Sequence, residues 1–210
     1  MKRRIAIAGN GAWGQALAHV ARTAGHDVSM WSRQKSDVIS FASVDAIIVA
    51  VPAQAVRDVL TLIKPPKGIP LIIGAKGIEQ KTAKFMNEVV ADVVPGALTF
   101  VLSGPSFASD VVKGLPTAVT LAAPTLAEAG EWAQALSLPM FRVYGSDDVL
   151  GVEIGGALKN VLASACGISD GRGLGDSARA ALTTRGFAEL MRFGKKLGAK
   201  PETLTGLAGL

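Results

Sequence analysis

Gly9-Asn10-Gly11-Ala12-Trp13-Gly14 has the glycine spacing of a phosphate-binding turn. Glycines so placed allow a tight turn, close backbone approach to a pyrophosphate, and packing of a helix on a sheet. A helix that follows offers free N–H groups and a partial positive charge to the phosphates. The pattern is informative only between a strand and a helix. Here Arg4–Ala8 is a short apolar run before it, and a helix is expected from Gln15 to about Thr23. Dinucleotide binding through Gly9, Gly11 and Gly14 is therefore favoured over a purely structural glycine turn.

Such folds place an acidic residue at the end of the second strand to hold the ribose 2′-hydroxyl. This chain has Trp31-Ser32-Arg33-Gln34 instead. A hydroxyl and a guanidinium there would accommodate a 2′-phosphate, so NADP is tolerated as well as NAD. The alternative is that Arg33 is an exposed loop residue.

Three further groups follow apolar runs. Lys76 lies in Gly74-Ala75-Lys76-Gly77, and Gly104 and Ser106 lie in Ser103-Gly104-Pro105-Ser106-Phe107-Ala108. Ligands of open parallel sheets bind outside the carboxyl ends of the strands, so Gly9, Lys76 and Gly104 should face one edge. Pro105 suits the first turn of a short helix. Lys76 read alone is a solvated loop lysine. Lys159 sits in Gly155-Gly156-Ala157-Leu158-Lys159-Asn160, within a helix. Two interior glycines imply that something approaches the helix backbone. Apolar surroundings would lower the lysine pKa, as proton transfer near neutral pH requires. The alternative is a lysine extending to the surface.

The elements that must position these groups alternate. Arg4–Ala8, Asp27–Trp31, Ala46–Val51, Pro70–Gly74, Leu98–Leu102, Ala118–Ala122 and Met140–Val143 read as buried parallel strands. The stretch Glu79–Val94 has helical spacing at Phe85, Met86, Val89, Val90 and Val93. The fold class is α/β, a doubly wound Rossmann-type parallel sheet, followed by the start of an all-α substrate domain. Ser146, Asp147 and Asp148 can cap a helix. Long helices are expected over Val149–Gly167 and Ser177–Leu197, joined by a loop at Asp170–Gly175. The boundary is placed near residue 145, dividing 1–145 from 146–210. Only Ser32–Val44 separates the second and third strands, barely enough for a parallel crossover.

The composition sets outer limits. Lys and Arg exceed Asp and Glu by 22 to 17, which favours anionic ligands. The charges are scattered without interleaved aromatics, so no nucleic-acid partner is expected. Cys166 is the sole cysteine, which excludes an intrachain disulfide and suits a cytoplasmic location. No stretch approaches the ~18 apolar residues of a membrane span. His19 and His26 are expected to be structural, and no side-chain group has metal-ligand spacing.

With these pieces in order, the chain resembles the bacterial NAD(P)-dependent glycerol-3-phosphate dehydrogenases. The segments that carry the resemblance are GNGAWG, IIVAVPAQAVR, AKGIEQ, SGPSFA, GLPTAVTLAA, FRVY, GVEIGGALKNV, ALTTRGFAELMRFG and GLAGL. SGPSFA together with GGALKN is the most specific part. The resemblance implies that Ala12, Trp13, Arg33 and Ala108 contact the cofactor, NADP or NAD. It implies that Lys76 contacts substrate and cofactor, that Gly104 and Ser106 lie on the substrate, and that Lys159 is the proton donor and acceptor. The implied reaction reduces dihydroxyacetone phosphate to sn-glycerol 3-phosphate, a step toward phospholipids. A homodimer is compatible with it.

Three departures from the family pattern stand out. The family has several dozen more residues between the second strand and the segment matching Ala46–Val51. It often has Asn at the position of Ser177. It also continues beyond the position of Leu210 into a Gly-Asp segment and a Ser-Arg-Asn motif that complete the sites. Two alternatives stay open. One is a β-hydroxyacid dehydrogenase, whose helix lysine is usually followed one turn on by asparagine, where this chain has Ala163. The other is an inactive fragment that at most binds NAD(P).

Overall fold

The computed structural model describes residues 1–33 and 41–209 of the chain, without the side chain of Ala42. Seven strands form one sheet: β1 (Arg4–Ala8), β2 (Asp27–Trp31), β3 (Ala46–Val49), β4 (Pro70–Ile73), β5 (Leu98–Ser103), β6 (Thr117–Ala122) and β7 (Phe141–Ser146). Their spatial order is β2-β1-β3-β4-β5-β6-β7. The helices are α1 (Ala12–Thr23), α2 (Val56–Ile63), α3 (Met86–Val93), α4 (Ala108–Val112), α5 (Leu126–Leu136), α6 (Val149–Gly171), α7 (Gly175–Leu197) and α8 (Pro201–Leu204).

Side chains alternate across a strand, and that period splits the core into two layers. Ile5, Ile7, Ile48, Ile72 and Phe100 pack with α1 and α5 on one face. Ala6, Ala8, Ile47, Val49, Leu71 and Ile73 pack with α2, α3 and the start of α6 on the other. Both layers are apolar, which explains why the strands read as continuous apolar runs rather than alternating ones. A third cluster of Phe85, Ile154, Leu190, Ala199 and Leu204 joins α6, α7 and α8 to the start of α3.

The sheet is mostly parallel, with one correction to the all-parallel expectation: β6 runs antiparallel to β5, and β7 runs parallel to β6. The physical reason is the connection. A parallel return must carry the chain back along a six-residue strand of about 20 Å. Helix α4 has only five residues, about 7.5 Å of rise. The chain turns back instead.

Other boundaries also differ. Residues 79–84 are not helical; α3 begins at Met86, with Phe85 as N-cap and Glu88 reaching back to the Phe85 N–H at 2.8 Å. Pro105 lies in a bend ahead of α4, whose N-cap is Phe107, so it does not open the helix. Helix α6 runs on to Gly171 and α7 starts at Gly175, leaving a join of three residues. Asp148 is the α6 N-cap, accepting from the Gly151 N–H at 2.8 Å and from the Lys200 N–H at 2.8 Å. Contrary to the sequence reading, α6 is long and apolar enough to cross a membrane by length and composition. Its first two turns are buried against the sheet, in the manner of a core helix. The Ser32–Val44 connection lies largely outside the described residues, as does Gln34.

Candidate active site

The carboxyl ends of β1, β3, β4 and β5 open onto one cleft of about 440 Å³, lined among others by Gly11, Ala12, Trp13, Pro52, Lys76, Ser106 and Ala108. The ladder bonds continue past the strand ends: the Gly9 N–H donates to Trp31 O, and the Gly74 N–H to Val49 O, each at 2.9 Å. The glycine turn therefore starts from a fixed point.

The three glycines of the turn do different work. Gly9 has φ of +130°, and a Cβ there would overlap the Ala50 carbonyl. A Cβ on Gly14 would overlap the Gly9 carbonyl, so this glycine packs α1 onto the turn. Gly11 is exposed, is the N-cap of α1, and a Cβ there would meet nothing within 4 Å. Only Gly11 is left open for a ligand. Its open side, the unshared N–H groups of the first turn of α1, and the cleft beside them fit a dinucleotide pyrophosphate. Trp13 forms part of the wall; its buried Nε1 has no protein partner and lies against Gly74, where a Cβ would come to 3.0 Å.

Arg33 is exposed just after β2 and pairs weakly with Asp58 at 3.4 Å. It stands outside the lining of the cleft.

Lys76 is half-buried, and its Nζ donates to the Gly104 carbonyl at 2.7 Å. Ser106 Oγ donates to the same carbonyl at 3.3 Å. The two loops expected to share an edge are thus bonded to each other. Burial, and then the Lys159 ammonium, push Lys76 down to about 8. Burial likewise lowers Lys159, which is half-buried in α6. Helix α6 comes up against Lys76 at Gly156, where a Cβ would lie 3.7 Å from Lys76 Cγ, and Lys159 stands one turn further along the same helix face.

The loop that carries Lys76 is held from below. Arg57 on α2 binds Glu79 through two bonds of 2.9 Å and Asp92 on α3 at 3.0 Å. The hydrogen bonds from Arg57 and Thr82 hold the Glu79 carboxyl below the usual carboxylate range. Gln54 adds two bonds, to Ile78 O and from the Gln80 N–H.

The paired glycines of α6 have separate neighbours. A Cβ on Gly155 would overlap the Ala208 backbone, and one on Gly156 would overlap Ser103 Oγ. The close approach inferred from the sequence is thus made by two different parts of the chain. His26 is structural: its Nδ1 accepts from the Arg3 N–H at 3.2 Å, and its Nε2 faces Ala135 O at 2.8 Å. Among the described residues, no cluster of His, Cys, Asp and Glu is placed to hold a metal ion.

Sequence reasoning missed Pro52 and Ala53, which line the cleft after β3, and Phe107, an exposed aromatic at its rim. Their signal was position, since they follow a strand at the same carboxyl edge as Gly9. It also missed Ser103 and Glu153, which line a small recess behind Lys76. A lone carboxylate in the apolar run Val149–Leu158 was the available sign.

Comparison with known proteins agrees with this geometry. The family model for the NAD-dependent glycerol-3-phosphate dehydrogenase N-terminus matches residues 4–43 and 37–129. The model for the C-terminus of the same family matches residues 148–210. Glycerol-3-phosphate dehydrogenase (NAD(P)+) of Bradyrhizobium sp. strain ORS 278 is 51% identical over 98% of this chain and 72% of its own length. The enzyme of that name from Parvibaculum lavamentivorans is 46% identical over 99% of this chain and 72% of its own. The crystal structure of glycerol-3-phosphate dehydrogenase from Coxiella burnetii superposes with a TM-score of 0.90 at 38% identity, covering 99% of this chain and 73% of that one. A seven-stranded, mostly parallel sheet with a phosphate-type turn, a half-buried Lys76 at its edge and matches of this extent on both halves identify the chain as a member of the NAD(P)-dependent glycerol-3-phosphate dehydrogenase family.

Proposed function

We propose that the chain reduces dihydroxyacetone phosphate to sn-glycerol 3-phosphate with NADPH or NADH. The observation that carries this reading is the approach of α6 to Lys76: a Cβ on Gly156 would lie 3.7 Å from Lys76 Cγ, with Lys159 one turn further along that helix, and Lys76 lines the cleft whose open glycine is Gly11. Two ammonium groups suit a substrate that is a phosphate ester and develops negative charge on a second oxygen.

A reduced nicotinamide, when bound, supplies the hydride for the substrate carbonyl carbon. The residues of the chain do the rest. Gly9, Gly11 and Gly14 shape the turn for the pyrophosphate, with Ala12, Trp13 and Ala108 beside it. Arg33 offers a guanidinium to a 2′-phosphate and so admits NADP. Lys76, Gly104 and Ser106 orient the substrate. The lowered pKa of Lys159 eases release of its proton to the substrate oxygen, and in the reverse direction the neutral amine takes it back.

The same reading divides the chain into a dinucleotide-binding part, residues 1–145, and the beginning of a helical substrate part, residues 146–210. It assigns a cytoplasmic role in supplying phospholipid backbones, in a homodimer. The test is NADPH oxidation by the purified protein on addition of dihydroxyacetone phosphate. Turnover is expected. NADPH binding without turnover would reduce the reading to dinucleotide binding, and failure to bind NADPH or NADH would overturn it.

A further inference from the structure

Two buried polar atoms on facing elements have no protein partner: Ser103 Oγ at the end of β5 and Glu153 Oε2 on α6. Ser103 is 2% exposed and Glu153 7%, so bulk solvent is excluded from both side chains. Both line a recess shared with Lys76 and Gly156. A buried polar atom left unpaired is costly, and the recess between them, of about 10 Å³, is close to the space one water needs.

The geometry around the recess is fixed on every side. Glu153 Oε1 accepts from the Asn87 N–H at 2.8 Å, in the first turn of α3, which leaves Oε2 unused. Gly156 has no side chain to fill the space; a Cβ there would overlap Ser103 Oγ and lie 3.7 Å from Lys76 Cγ. Ser103 is followed directly by Gly104, whose carbonyl holds Lys76 Nζ. Gly104 is itself pinned, since a Cβ on it would come to 2.9 Å from the Val119 backbone.

We propose that one ordered water bridges Glu153 Oε2 and Ser103 Oγ, and that through it Glu153 is a positioning residue for Lys76. The water ties α6 to the Ser103-Gly104 corner, and that corner sets where the Lys76 ammonium points. The functional consequence rests on the reading of Lys76 as a substrate-orienting residue; the water does not. The charged groups around the recess are Glu88 from α3, acting on Glu153, and Lys159 further along α6, acting on Lys76. Burial pushes the Glu153 carboxyl up to about 8, against the opposing Asn87 hydrogen bond. Glu153 and Lys76 line the same recess, so an ionised Glu153 carboxylate there favours the Lys76 ammonium.

The test needs no turnover. A high-resolution crystal structure of the protein is expected to show one water within hydrogen-bond reach of both atoms, absent in Ser103→Ala. Lys76, followed by NMR after ¹³C-methylation of the lysines, is expected to titrate lower in Glu153→Gln than in the wild type. An empty recess, a direct Glu153–Ser103 bond, a water that stays in Ser103→Ala, or an unmoved Lys76 titration in a folded Glu153→Gln protein would each overturn the proposal. Failure of the wild-type protein to reduce dihydroxyacetone phosphate would count against the dehydrogenase reading alone.

Discussion

Lys76 Nζ donates to the Gly104 carbonyl at 2.7 Å, a bond that closes the gap between the loops after β4 and β5. It holds a cation in a place where burial and a second cation oppose it, down to a pKa of about 8. The arrangement sacrifices stability for charge at the edge of the cleft.

Lys76→Met should therefore separate stability from function. The variant loses the ammonium and with it the repulsion toward Lys159, so its melting temperature at pH 7 should equal or exceed that of the wild type. A lysine with a depressed folded pKa costs stability below that pKa, and the cost disappears as pH rises toward the unfolded value. The advantage of the variant should thus shrink between pH 8 and 10.5, the limits set by the Lys76 shift. Thermal melts of both proteins across that range are the check. A variant less stable than wild type at pH 7 would mean that the bond to Gly104 outweighs burial.

The glycine turn allows a similar separation. A valine at Gly11 meets open space in the folded chain but stands where a pyrophosphate must lie. Gly11→Val should lose most NADPH affinity in titration calorimetry while its melting temperature changes by only a few degrees. Gly14→Val, whose side chain would run into the Gly9 carbonyl, should unfold the protein or lower its melting point steeply. Unchanged NADPH binding in Gly11→Val would remove the phosphate-loop assignment.

Arg33 is exposed, and its pairing with Asp58 at 3.4 Å is weak. Exposed pairs of this kind contribute roughly 0–1 kcal/mol, so Arg33→Ala should leave stability almost unchanged. Only NADPH carries the 2′-phosphate, so its dissociation constant should rise more than that of NADH. Equal weakening of both would show that the guanidinium stacks on the adenine or merely packs.

How much of this was legible in the sequence depended on what leaves a local mark. Strands β1 and β2 were placed to the residue, because short apolar-rich runs bounded by polar residues and Gly need no partner to be recognised. The direction of β6 was not legible, since an apolar run reads the same either way and only the short α4 reverses it. The apolar spacing from Phe85 onward was helical as expected, but Glu79–Lys84 was drawn out of the helix by Arg57 and Gln54, residues far away in the chain. Gly155 and Gly156 announced a close approach without saying what approached. Ser103 and Glu153 carried almost no signal, because their significance lies in facing each other across α6 and the sheet.

Lys159 is the residue on which the chemistry of the proposed reaction rests. It lies one turn beyond Gly156, is half-buried, and has its pKa lowered by that burial. Lys159→Met keeps the apolar stem and removes the proton. General acid–base catalysis contributes about 10²–10⁴-fold, so kcat for dihydroxyacetone phosphate should fall by that order while NADPH binding stays near the wild-type value. Lys159→Arg keeps the charge, yet guanidinium holds its proton too tightly to release it, so little activity should return. The pH profile supplies the sign: the reducing direction needs the protonated amine, so kcat should decline as pH rises through the Lys159 pKa, and the reverse reaction should gain. Steady-state rates in both directions for the wild type and the two variants decide the matter. A methionine variant within a few-fold of wild-type kcat would make Lys159 a structural lysine and leave Lys76 as the remaining candidate for the proton.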